Sequence, residues 1–526
     1  MAYTTSPDID FASIGLVTDV PAHSLEIGSW SDCLDVRIKD GSVEGVNSFG
    51  DAFALTIVGD PYAVTQWTPT GSNDLYIAYI LKDATAVGRV FVYDTTSLAT
   101  VEITNLVTVG SGNAGFTLND EFPPQIFVFN DNLIVNPGTG TPQHMTVAGI
   151  KAKVETGTGS SLVDLPNWPT YTGSVKAIAR VLRPFKNRLI AMSLVDDKDT
   201  ATLTDDEFFG IDFLWSTNIT VLGSLAEVDW ITASTNDAGD AFLTQSPGKI
   251  IDGGELGDVF LAYKSDGVIR MAETGNATYP FSFESISEDD GIFSTRCVAN
   301  IGNQQHLVIG NYGVYVIDSN GQKQHIAKGI FQDTMYGLIK ASEKERSFAF
   351  QQTRDKEVWF CFSSSSNTGA GCDRAFVWNY DNQKLHLRSL PNITDIYETE
   401  FEGVLNIYAT SPDDSSIQLL SNTALVADGY FIREGEDLGD CSFVKSITGL
   451  HIRAEGKIKV SLVGSFSTTA SNTYSFTEFD PATDYKIDSR AQGRFMNIKV
   501  QMVTDGTPVN PKLTTMKFDA KRTSNR

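Results

Sequence analysis

The sequence predicts an all-β chain: a β-propeller of six to seven blades, with an N-terminal β-hairpin extension and a C-terminal antiparallel β-sandwich. Three observations carry this expectation. A two-strand pattern recurs through the middle of the chain, its copies are spaced like propeller blades, and the strand type changes after Gly429. The first strand of each copy begins at Asp74, Asn132, Arg188, Asp258, His306, Glu357 or Val404, so successive starts lie 58, 56, 70, 48, 51 and 47 residues apart. Each is followed by a turn and a second apolar strand, at 89–93, 143–147, 212–215, 268–271, 314–317, 375–378 and 417–420. Hairpins repeating every ~50 residues mark blades, because a blade is a four-stranded sheet that stays exposed on both faces until its neighbours stack on it in a ring.

Taken in order, residues 1–50 stand outside the repeat. Residues 34–42 read Leu-Asp-Val-Arg-Ile-Lys-Asp-Gly-Ser, an alternating strand ending in an Asp-Gly turn, with a second strand from Val43. This is expected to be a docking hairpin ahead of the ring. The ring itself is expected over 51–428, with an inserted loop region near 196–210. There the long step after Arg188 carries Asp196-Asp197-Lys198-Asp199 and Asp205-Asp206-Glu207. Such loops carry contacts more often than core strands do. One short helix is expected within 331–346, where Tyr336, Leu338, Ile339 and Ala341 precede a charged run. From 429 to 526 the strands at 446–453, 457–464, 494–502 and 512–520 alternate as half-exposed sandwich strands do. The basic tail from Lys521 is expected to fray.

Composition narrows the function classes. A hydrophobic content of 41% supports a real core, and 44 Gly with 18 Pro suit many short strands and turns. No apolar run reaches the roughly 18 residues of a membrane span. The N-terminus has neither a basic start nor an apolar stretch, so synthesis in the cytosol is expected. In that compartment Cys33, Cys297, Cys361, Cys372 and Cys441 read as free thiols, although Cys361 and Cys372 flank one turn. The sequons at Asn218, Asn276 and Asn392 read as chance matches. A net charge of −25 argues against a module that grips nucleic acid by its phosphates. It leaves room for a surface past which DNA slides.

The sequence points to no catalytic, cofactor-binding or metal-binding residues. The six histidines show no ligand spacing, and neither a nucleophile elbow nor a Walker loop occurs. Residues 252–258 are glycine-rich but lead into a strand, so they read as a blade turn rather than a phosphate cradle. Acid/base pairs of the glycosidase kind were sought at 196–199, 288–290 and 434–440, all of which lie in polar loops where solvated carboxylates are the default. Calcium at 196–199 lacks EF-hand spacing. Most tryptophans fall in or beside strands and read as core. Trp30 and Trp168 do not, and Trp168 is expected to anchor a loop or a neighbouring chain. A propeller without a catalytic constellation reads as a scaffold and not as an enzyme.

The opening Asp32-Cys-Leu-Asp35-Val-Arg37-Ile-Lys-Asp40-Gly41-Ser-Val, with the small residues to Phe49-Gly50, resembles the start of tail nozzle proteins of short-tailed bacteriophages, also called tail tubular or packaged-DNA stabilisation proteins. The resemblance continues in Gln66-Trp67-Thr-Pro and in Gly493-Arg494-Phe495-Met-Asn-Ile-Lys. It departs at Asp35, where the family often has Asn, and at Val46 to Ser48, where it has a basic residue followed by Gly. The resemblance implies a structural virion protein, made in the host bacterial cytoplasm. It would form a homohexameric ring below the tail adaptor that retains packaged double-stranded DNA and conducts it during ejection. It implies no cofactor, no membrane insertion and no sequence-specific DNA binding, with tail fibres or a needle as further candidate partners. Trp30, Arg37 and Phe49 are then expected to touch the adaptor or a neighbouring subunit. Two alternatives are a carbohydrate-active propeller, such as a tail-associated depolymerase, and a cytosolic interaction propeller.

Overall fold

The computed structural model describes every residue except 1–3, 6–7, 54–56, 72–73, 105–114, 158–160, 170–176, 197–206, 277–278, 303, 402, 440, 468–471, 505–509 and 525–526. The inserted acidic loop therefore lies almost wholly outside the described residues.

Seven antiparallel sheets follow one another along the chain, each built on four strands; in the first six these run in sequential order, and the first adds Phe116–Thr117 as a fifth. They are the blades. The first strands of successive blades are Asp60–Trp67, Gln125–Phe129, Ala177–Phe185, Ile250–Leu256, Val298–Asn300, Phe348–Gln352 and Asp395–Phe401. Each touches the next, and the last touches the first, so the ring closes. Every hairpin read from the sequence is the second and third strand of a blade. In blade two, for example, Asn132–Asn136 pairs with Gln143–Met145. These middle strands are apolar because both of their faces are covered: Ile77, Val90, Leu133, Leu189, Phe260, Val308 and Val377 are all 2% exposed or less.

Blade seven is completed from the other end of the chain. Its first three strands are Asp395–Phe401, Val404–Ser411 and Ser416–Leu425, and its fourth is Asn47–Asp51. Leu419 stands opposite Gly50, and Leu420 opposite Phe49. The expected boundary at residue 50 thus runs through a ring strand.

The rest of the N-terminal region enters the sandwich. The hairpin Val36–Lys39 and Ser42–Gly45 is present, and its turn places both Asp40 (φ 50°) and Gly41 (φ 72°) in the left-handed region that a two-residue hairpin needs. It extends the sheet formed by Val444–Glu455 and Lys512–Ser524, with Glu44 opposite Lys512. Asp32–Leu34 instead joins the facing sheet beside Tyr430–Glu436, Phe495–Met502 and Ile458–Ser465. Asp35 sits between these strands with φ 58° and accepts from the backbone N–H and hydroxyl of Ser389 at 2.7 and 2.8 Å. A short polar side chain tolerates that backbone where a branched residue would not.

Three expectations need correction. The basic tail is not frayed: Lys512–Ser524 runs as a strand through Ser524, which pairs with Val444. Of residues 252–258 only Gly257 and Asp258 form the turn, because 252–256 lie in the inner strand Ile250–Leu256. A helix also lies where none was expected, Val147–Thr156, capped by Thr146 and ended by Gly157 at φ 67°. It buries Ile150 alone, so it left no apolar stripe to read. The helix expected within 331–346 is there as Gln332–Leu338, followed by a 3₁₀ stretch. The five cysteines are free.

Candidate functional site

The four residues singled out for partner contacts turn inward. Trp30 is fully buried, stacks on Phe431 at 5.0 Å and donates its indole N–H to the Phe11 carbonyl at 2.9 Å. Trp168 is 4% exposed and meets Trp230 edge-on at 4.7 Å. Its partner is therefore a loop of its own chain. Arg37 binds Glu44 and Asp355 at 2.9 Å each and Glu357 at 3.6 Å. Phe49 stands edge-on to Trp359 at 6.3 Å. As folded, Trp30 is enclosed by its own chain instead of facing a partner, and Trp168 packs on a loop, the first of the two alternatives expected of it. They are core because apolar rings of this size stabilise most when dehydrated.

Arg37 and Phe49 meet around one buried cluster on blade six. The indole N–H of Trp359 donates to Glu357 at 3.0 Å, and the Arg388 guanidinium lies 4.0 Å from the Trp359 ring and 5.5 Å from that of Phe49. Burial pushes the Glu357 carboxyl up, against the pull of Arg37. Burial acts the same way on Asp355, but Arg37 and Lys39 outweigh it and hold that carboxyl far below its usual range. The cluster is where the hairpin, the closing strand and the ring are fastened together.

A second set of ion pairs crosses the inner strands. Arg183 of blade three grips Asp252 of blade four through two bonds of 2.9 Å. The same carboxylate accepts the backbone N–H of Arg296 at 2.7 Å. The Arg296 side chain reaches Asp395 of blade seven at 3.1 Å, and Asp395 also accepts the Val64 N–H of blade one at 3.1 Å. Nearby, Arg346 binds Asp120 at 2.9 Å. Cavities of about 280 and 390 Å3 lie beside these groups. Because each of these carboxylates is held by a guanidinium, the belt suits inter-blade fastening better than proton transfer. Nothing in the sequence pattern marked Arg183, Asp252, Arg296 or Asp395, since partners across blades share no local spacing.

The loop carboxylates behave as solvated or structural groups. Lys323 and Ser287 hold the Asp289 carboxyl down at about 2, whereas burial pushes Asp290 up. Glu436 forms an ion pair with Arg433 at 3.1 Å, both nearly inaccessible. Among the described residues no group of His, Cys, Asp and Glu is arranged to hold a metal ion.

His306, on the second strand of blade five, is buried between the Tyr263 hydroxyl and the Glu255 carbonyl at 2.8 and 2.9 Å. Burial pushes its imidazole down from 6.5 to about 4. The unfolded chain therefore takes up this proton first as the pH falls, and the folded state loses stability from pH 6.5 down to about 4. The expected loss is about 3 kcal/mol. Urea unfolding across that range should show a shallower pH slope in His306→Gln; an unchanged slope would refute the assignment.

A larger cleft lies between the outer strands of blades three and four. Residues 232–240, the end of the loop entering Gly239–Phe242 and the start of that strand, form one rim. Asn236 pins it by donating to Asp229 at 3.1 Å and to the Ile231 carbonyl at 2.9 Å. Asp237 binds Arg188, and its carbonyl accepts the Trp215 indole N–H at 2.9 Å. The Trp215 ring covers Gly239, where a Cβ would stand 2.4 Å from the indole. Phe281 meets Trp215 edge-on at 5.3 Å, and Phe283 lies at 6.0 Å. The cleft has a volume of about 920 Å3 and is also lined by Tyr279, Asp240, Thr232, Ser234 and Thr235.

No family model and no curated protein matches this chain. Solved structures do. Citrobacter koseri AztD is 11% identical, with 75% of this chain and 92% of that one covered at a TM-score of 0.36. A glycoside hydrolase family 43 arabinoxylan arabinofuranohydrolase from Bacillus subtilis is 10% identical, covering 89% and 97% at 0.26. A puromycin hydrolase is 10% identical, covering 78% and 61% at 0.39. Likeness at this identity concerns the fold. Two of these three are hydrolases, so the expectation that the chain is not an enzyme is withdrawn.

Proposed function

We propose that this chain is a structural subunit of a tail nozzle, forming a homohexameric ring beneath an adaptor on a short-tailed virion. The observation behind this reading is where the nozzle-like segment sits. Residues 32–51 supply a strand to each sandwich sheet and the closing strand of blade seven, with Arg37 fastened to blade six. Such a joint makes ring and sandwich one stiff unit, as a conduit wall under pressure requires. The net charge of −25 keeps a passing polyanion from sticking. Electron microscopy of the purified protein and of virions should show six copies around a lumen at the tail tip. A strict monomer that is absent from virions would refute the proposal.

A second reading, a carbohydrate-active propeller, is supported by the cleft beside Trp215, where aromatic rings lie next to Asp237 and Asp240. Release of reducing ends from a host surface polysaccharide tests it. No release by the intact protein would count against cleavage.

A further inference from the structure

We infer that the cleft between blades three and four is a binding site for a neutral, hydroxyl-rich oligosaccharide. The inference shares its ligand class with the second reading above but needs recognition only, so absence of cleavage leaves it standing.

The lining has two chemistries in one place. Tyr279 and Phe283 supply ring faces and edges, on which the C–H faces of sugar rings pack, over a floor formed by the buried Trp215 and Phe281. Tyr279 is 70% exposed, so its ring face is open to a ligand. Opposite these rings, Thr232, Ser234, Thr235 and Asp240 offer hydroxyls and a carboxylate, all exposed. Sugar hydroxyls both donate and accept, so a rim of this composition satisfies them.

Charge excludes the main competitors. Among the described residues no lysine or arginine lines the cleft. The nearby cation, Arg188, is engaged by Asp237 and by the Ser216 carbonyl at 2.9 Å. A phosphate, a nucleic acid or an acidic polysaccharide would find no counter-charge among the lining residues. The volume of about 920 Å3 is at the upper end of ordinary ligand pockets, roughly 300–1,000 Å3. The rim is also set in advance. Asn236, Asp229 and Asp237 tie the loop through side-chain bonds to backbone, so little ordering remains to oppose binding.

The test is titration of the full chain with neutral gluco- and galacto-oligosaccharides, read by Trp fluorescence and calorimetry, with a sulfated oligosaccharide as control. Saturable binding of a neutral oligomer is expected, weakened about tenfold or more in Tyr279→Ala and in Asp240→Ala, with the sulfated control silent. Both substitutions fall on exposed side chains, so the melting temperature should hold. The inference is overturned if no neutral oligomer binds, if both variants bind as the parent does, or if the sulfated control binds better.

Discussion

Arg37→Ala is expected to cost about 3–5 kcal/mol, the scale for removing one member of a buried ion network. The side chain is 10% exposed, and its partners Glu44, Asp355 and Glu357 are 14%, 5% and 5% exposed. Alanine leaves Glu357 buried without its ion-pair partner, and Asp355 with Lys39 and Arg354, 41% and 33% exposed, and the Gln352 amide at 2.9 Å. Lysine should rescue little, because a single ammonium does not reach Glu44 and Asp355 with the fork of a guanidinium. The pH dependence supplies a second check. The Asp355 carboxyl is depressed in the folded state, so its contribution is present above the unfolded value of 3.8 and fades as the pH falls below it. The gap between parent and Arg37→Ala should therefore narrow in acid. Urea denaturation at pH 7 and pH 3 measures both effects; a loss under about 1 kcal/mol at pH 7 would place the network among pairs that contribute little.

The second large effect concerns ring closure. A chain lacking residues 1–51 is expected to lose its single cooperative melting transition and to aggregate. Without Asn47–Asp51, the edge of Ser416–Leu425 is left unpaired, and open edges recruit other chains. The same cut removes Trp30 from Phe431 and four strands, Thr4–Thr5, Ile9–Asp10, Val36–Lys39 and Ser42–Gly45, from the sandwich sheet that contains Lys512–Ser524. Calorimetry and size-exclusion chromatography decide it. A truncated chain that stays monodisperse and melts within a few degrees of the parent would show that the closing strand is dispensable.

How much of this was legible can be argued from particular strands. In blade six, Glu357–Phe362 and Cys372–Asn379 stood out because strands with both faces covered read as continuous apolar runs. The outer strand of blade five, Lys323–His325, is three residues long with two of them exposed, too short and too polar for any period. Inner strands failed for another reason. Gly253 sits within Ile250–Leu256 because the Phe260 ring leaves no room for a Cβ, and with Gly254, where the His306 ring would be tight at 3.2 Å, it resembled a turn. The partner contact expected of Trp30 came from the family resemblance, and that of Trp168, with a loop or a neighbouring chain, from its position outside the hairpins. Each fills a core built from distant segments, so Trp30 faces inward and Trp168 holds a loop of its own chain.

The sequence by itself determined the all-β class, the recurring hairpins and the Asp40-Gly41 turn, because alternation, spacing and turn chemistry act over a few residues. The tertiary structure alone decided that the blades number seven, that Asn47–Asp51 closes the ring, and that Arg37 answers Asp355 and Glu357. It also brought Tyr279 to the cleft beside Trp215. Those pairings join residues tens to hundreds of positions apart. Their selection rests on burying strand edges and charges together, a condition that no local pattern records.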